Sequence, residues 1–279
     1  MKHSRIGARV AVGIAALAAA NLAPSLAAAQ DTTYMKPVAD TLGAPNDRID
    51  PDAIAALEKM GAYLRTLKSF GVHANVTTDD VMEDGQKVTR TSVIDLVASR
   101  PNKLRIEIAD QRQPRTLFYD GKMFTMWAPR VKFYATISAP PSIIDLVDTL
   151  QDKYDVEVPG VDLFRWGTPE SDVADITDAT EIGPVAVNGV TCTQYAFRQK
   201  GLDWQIWIQN GDYPLPLKLS LTTTTDDARP AHTSTYTWNL APSYNDKAFV
   251  FDPPADAKKI SLAEVQAARA AEKKSGGYK

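Results

Sequence analysis

The sequence predicts an α+β fold in which an antiparallel sheet, assembled from two successive meanders, is combined with helices that precede and interrupt it. Three observations carry this. Leu104, Ile106 and Ile108 alternate with Arg105 and Glu107, the period of a strand with one apolar and one wet face. Asp120-Gly121 and Asn188-Gly189 each separate two apolar runs, the pattern of a tight hairpin. Ile54, Leu57, Met60, Gly61, Leu64 and Leu67 recur at helical spacing instead, which marks an amphipathic helix ahead of the strands.

The chain has 279 residues, 44% hydrophobic and 23% charged, and this is ordinary globular composition. Residues 1–29 read as a cleavable secretory leader. Lys2, Arg5 and Arg9 form a positive start, an uncharged Ala-rich stretch follows, and Ala27-Ala28-Ala29 supplies the small residues of a cleavage site. The apolar stretch is short for a membrane span. Removing the leader takes three basic residues and no acidic one, leaving 28 basic and 34 acidic residues and a net charge of −6. An exported acidic protein lacks the basic track that nucleic acid needs. The single cysteine, Cys192, excludes an internal disulfide and reads as a small strand residue.

Residues 30–48 are polar, with Pro37, Gly43 and Pro45, and read as a flexible leader segment. Asp50 caps a helix that Pro51 opens and that ends near Ser69. Strands are then expected over 71–78, 87–98, 103–109, 115–119, 122–127 and 131–137, an antiparallel meander. Pro140-Pro141-Ser142 stops the sheet and caps a helix over 142–152. After an irregular stretch, strand texture returns over 180–187, 191–199, 204–208, 215–221 and 232–240. In the last of these Thr233, Thr235 and Thr237 alternate with Ser234, Tyr236 and Trp238. The folded domain is expected to span 49–256, with 257–279 an exposed helix and tail.

Catalytic and cofactor patterns are absent from the sequence: it holds no phosphate loop, no dinucleotide fingerprint, no nucleophile elbow and no metal-spaced His or Cys cluster. No cofactor and no enzymatic activity are therefore expected. His73 and His232 both fall inside predicted strands. Aromatics are the richest feature, and they occupy both parities, as in Phe118-Tyr119 and Phe133-Tyr134. A packed core with scattered exposure explains them, and so does a curved sheet whose concave face lines an apolar pocket.

Ser99-Arg100-Pro101-Asn102-Lys103-Leu104, Leu117-Phe118-Tyr119-Asp120-Gly121-Lys122 and Trp127-Ala128-Pro129-Arg130-Val131 resemble the core of the LolA/LolB-like periplasmic lipoprotein carriers. Ala248-Phe249-Val250-Phe251-Asp252-Pro253-Pro254 is similar to that family's ending. The block Gly201-Leu202-Asp203-Trp204-Gln205-Ile206-Trp207-Ile208, with Leu215-Pro216-Leu217-Lys218, looks like a group of uncharacterised predicted periplasmic proteins of the same fold. The stretch 155–215 is longer than the family pattern, and the C-terminal helix is extra.

The resemblance implies an incomplete antiparallel β-barrel, with helices covering the open side of a curved sheet around a cavity for acyl chains. It places Arg100 at the cavity as a tether of the helical lid, which would be 142–152. The expected ligand-binding residues are Arg100, Leu104, Ile106, Phe118, Phe124, Trp127, Phe133, Ile144, Trp204 and Trp238. The function so implied is a monomeric, non-catalytic periplasmic carrier that takes a lipid or acylated protein as partner. An envelope sensor or protein-interaction module of the same fold, binding other envelope proteins, is the second reading.

Overall fold

The computed structural model describes residues 48–110, 113–169 and 171–265. The predicted leader peptide 1–29, residues 30–47 and the tail from 266 lie outside the described residues.

Helix α1 (Pro51–Thr66) starts where the sequence predicts it. The Asp50 carboxylate accepts from the Asp52 N–H at 2.9 Å and Pro51 takes the first helical position, satisfying one orphan donor and sparing another. Ala53, Leu57, Met60, Gly61 and Leu64 form its buried stripe. Gly61 is required by a backbone crossing, since a Cβ there would lie 2.6 Å from Gly167 N.

Strands β1 (Ser69–Val81), β2 (Lys87–Ser99), β3 (Lys103–Asp110), β4 (Arg115–Tyr119), β5 (Met123–Ala128) and β6 (Phe133–Ser138) form the first meander. Helix α2 (Ile143–Tyr154) follows, capped by Ser142, whose Oγ accepts from Asp145 N–H at 3.1 Å. A single turn, α3 (Asp162–Arg165), then precedes β7 (Ile176–Val187), β8 (Val190–Gln199), β9 (Leu202–Gln209), β10 (Pro216–Thr223) and β11 (Ala231–Asn239). Both residues of the Asn188-Gly189 turn take positive φ, 50° and 79°, as a type I′ hairpin requires. At Asp120-Gly121 only Gly121 does. There Asp120 Oδ1 accepts from the Lys122 and Met123 N–H groups at 2.8 and 2.7 Å, an Asx-type turn.

Among the described residues twelve strands make one sheet, ordered β12-β6-β5-β4-β3-β2-β1-β11-β10-β9-β8-β7 once the short β12 (Lys258–Lys259) is included. The sheet is curved and stays open, an incomplete barrel with helices on its inner side. The two meanders join through β1 and β11, which pair antiparallel from Gly71↔Asn239 to Thr78↔His232. One apolar core fills the space between sheet and helices, drawing on Leu57, Met60, Leu146 and Leu150 from the helices and on Phe70, Leu96, Ile106 and Ile206 from the strands.

The packing runs past Asp256, where the sequence reading ends the domain. Lys258–Lys259 pair in parallel with Phe133 and Tyr134, and Leu262 is buried in the core. A two-residue strand carries no alternation, so its pairing has no signature in sequence.

A lined cavity beneath the helical cover

Register decides which side chains meet on the inner face. From β1 come Val72, Ala74, Val76 and Thr78; opposite them on β11 stand Trp238, Tyr236, Ser234 and His232. On the other side of β1, β2 aligns Leu96, Ile94, Ser92 and Arg90. Each strand therefore grades from apolar to polar in the same direction. At about 3.3 Å per residue, Val72 to Thr78 spans about 20 Å.

Over this graded wall lies a cavity of ≈ 460 Å³. Its roof is Val147 and Gln151 of α2 and the segment 156–165. Val72, Ala74, Val76, Ile94, Leu96 and Ile108 supply an apolar floor. The other end is polar, with Arg90, Gln151 and Glu157 exposed to water. Two of its cations are paired: the Arg90 guanidinium donates to Asp80 at 2.8 Å, and Arg165 of α3 donates to Asp148 of α2 at 2.7 Å. A smaller cavity of ≈ 120 Å³, lined by Trp166, Trp204, Leu219 and Leu221, shares Asp162 and Arg165 with the larger one.

A polar row crosses the wall. Thr78 Oγ1 lies 2.8 Å from His232 Nδ1, and His232 Nε2 lies 3.2 Å from Ser234 Oγ. The Tyr236 phenol stands on the same face beside Ser234, and burial pushes its pKa up. Burial pushes His232 below its ordinary 6.5, against the opposing charges of Asp162 and Glu157. The folded protein thus resists protonation that the unfolded chain accepts, so the unfolded state binds more protons below about pH 6.5. This contribution to stability is complete above that pH and is lost as pH falls through the depressed folded value. Thermal melts from about pH 7 down to about pH 5 are expected to show a steeper fall in Tm for the wild type than for His232→Gln; parallel curves would contradict it.

Arg100 sits against the cover. Its guanidinium lies 5.2 Å from the Phe164 ring centre and 6.0 Å from that of Phe70, and it donates to the Leu163 carbonyl at 3.4 Å. Burial lowers its pKa, though a guanidinium stays charged. Its Nε is buried with no hydrogen-bond partner among the described residues.

The sequence-predicted ligand residues fall elsewhere than the larger cavity, and none of them lines it. Leu104, Ile106 and Phe124 are fully packed in the core, with Ile144 half-buried against it. Trp204 stacks on Phe197 at 4.3 Å and lines the smaller cavity. Trp238 packs on Phe70 at 5.6 Å, its Nε1–H donating to the Pro216 carbonyl at 2.8 Å.

Phe118 and Trp127 require a correction, because both belong to the outer face. They pack on Phe251 at 5.4 and 5.5 Å, beside Tyr134 at 5.1 Å. Strand alternation is the cause: Leu117, Tyr119, Phe124 and Met126 take the inner positions, so their neighbours point outward. Phe133 is corrected too; it opens β6 at the sheet margin and is 36% exposed.

The residues that do line the cavity left one signal in the sequence, the alternation of His232, Ser234 and Tyr236 with Thr233, Thr235 and Thr237. His73, the other histidine among the described residues, pairs with Asp95 at 2.7 Å in an exposed position.

Fold and cavity together define a class: an open antiparallel half-barrel with a hollow between its inner face and a helical cover. More specifically, the chain belongs to the family described as predicted periplasmic protein (DUF2092), whose model matches residues 53–263. No functionally curated protein matches it. Among solved structures it is similar to LprF from Mycobacterium bovis (14% identity, 77% of this chain and 100% of that one, TM-score 0.45) and to the Mycobacterium tuberculosis lipoprotein LppX (12%, 70% and 100%, 0.43). It is also similar to a LolA superfamily protein from Nitrosomonas europaea (11%, 71% and 97%, 0.29).

Proposed function

We propose that the protein is a non-catalytic periplasmic carrier, exported by a leader of residues 1–29 that is then cleaved, and that it holds a lipid or the acyl chain of an acylated protein in the larger cavity. The observation that carries this is the graded lining of a ≈ 460 Å³ space, apolar along Val72, Ala74, Ile94 and Leu96 and polar toward Thr78 and Arg90. That volume is in the range of small-molecule sites, and the gradient matches an amphiphile lying along the strands. Loading requires the cover to lift, a conformational step.

Chain-length dependence tests it. Each methylene taken from water contributes about 0.8 kcal/mol, so affinity for saturated acyl ligands should rise about fourfold per carbon until the floor is full. Native mass spectrometry of protein purified from an envelope extract should show bound lipid. Protein that leaves the column empty, and that binds no acyl ligand of any length in titration, ends the proposal.

A second reading, docking of another envelope protein along the β7 side, is favoured by Ile182, Val185 and Val190 standing exposed at that edge of the sheet. Stable protein cross-links at β7 with no bound lipid would favour it.

A further inference from the structure

The polar row in the cavity wall has no packing role that an apolar strand would not fill better. Ser234 and Tyr236 are buried, and their neighbours on β1 are Val76 and Ala74. Buried polar groups cost free energy unless each is hydrogen-bonded. Here three of the groups satisfy one another in sequence, Thr78 to His232 to Ser234, and the Tyr236 phenol stands beside them on the cavity wall. Hydroxyls retain capacity beyond those bonds. If His232 carries its proton on Nε2, Thr78 donates to Nδ1, Nε2 donates to Ser234, and the row ends on a free Ser234 O–H. In the other tautomer the row runs backwards and the free O–H is that of Thr78. Either way one end offers a donor and the other offers lone pairs.

The charged residues of the cavity argue in the same direction. Arg90 is held by Asp80 and Arg165 by Asp148, while Asp110, Arg115 and Asp162 each have partners of their own. Three cations, Arg90, Arg115 and Arg165, face three acids, Asp110, Glu157 and Asp162, around the same space. Such a lining has no surplus cation to neutralise a buried anion, and an unpaired buried charge is expensive.

Resting on the carrier reading above, we propose that the row reads an uncharged hydrogen-bonding group of the ligand, a hydroxyl or an ester carbonyl as in an acylglycerol. The cavity thereby selects neutral lipids over fatty-acid or phosphate head groups.

Three ligands with one chain and different heads test this: monolaurin, laurate and lauryl phosphate, each competing with the fluorescent apolar probe N-phenylnaphthylamine. Monolaurin should bind tightest. Losing one or two neutral hydrogen bonds should weaken it about fivefold to tenfold in Ser234→Ala and in Tyr236→Phe, with laurate and the probe unchanged. Ser234→Thr, which keeps the hydroxyl, should retain the preference and shows that any loss in Ser234→Ala is not misfolding. Equal or tighter binding of laurate or lauryl phosphate overturns the inference and leaves the carrier reading standing. Failure of folded protein to bind the probe or any of the three overturns the carrier reading itself.

Discussion

Ala74→Phe is expected to abolish lipid loading while leaving the protein folded. Ala74 stands mid-way along the cavity wall, in register with Tyr236 on one side and Ile94 on the other. It is buried, yet it faces the ≈ 460 Å³ cavity. A phenyl ring in a close-packed core would cost about 1–3 kcal/mol in strain, but here it has a void to enter. A ring that displaces about four methylenes of an acyl chain removes about 3 kcal/mol of transfer free energy, about 200-fold in affinity. Probe titration beside a thermal melt reads both quantities. A variant that melts near the wild type and still binds would show that ligands do not use this cavity.

Phe164→Ala has the second large effect, on stability and on the cover together. Phe164 is fully buried, its ring centre 5.7 Å from that of Phe70 and 5.2 Å from the Arg100 guanidinium. Truncating a buried phenylalanine typically costs about 3–5 kcal/mol, a large share of the margin of a single domain. The particular consequence is local. A four-residue helix such as α3 cannot hold itself by propensity, so it depends on Phe164, on Arg165 pairing with Asp148, and on the Arg100 bond to Leu163. The urea midpoint should fall sharply, with protease cleavage appearing between residues 159 and 167 before global unfolding. Phe164→Leu should restore most of the midpoint. A loss under about 1 kcal/mol would show that the ring does not clamp the cover.

Much of the architecture was legible because it is written locally. Asp50 before Pro51 and Ser142 before Ile143 cap helices by hydrogen bonds within three residues. Asn188-Gly189 needs only its own backbone geometry to announce a hairpin. The alternation of Leu104, Ile106 and Ile108 survives intact as an inner face.

The cavity was not legible, since it depends on which strands are neighbours. Phe118 and Leu117 are equally apolar, and only the third dimension makes one outward and the other inward. The outer aromatics owe their burial to Phe251, which arrives from 133 residues downstream of Phe118. The polar row needed the β1–β11 register, and Thr78 and His232 are 154 residues apart. That distance also hides why Ala74 is small, because its neighbour Tyr236 belongs to the other meander.

The same β1–β11 seam sets a timetable for the chain. The floor of the hollow comes from β1, β2 and β3 and most of its polar row from β11, so neither meander alone encloses it. Contacts of such separation form late and slowly, after the chain has closed a long loop. A molecule threaded through a membrane from its N-terminus would therefore emerge as a half-sheet with an open β1 edge and would acquire its hollow only when β11 arrived. The hollow is completed only when the last long strand docks, and until then no enclosed space exists between sheet and cover.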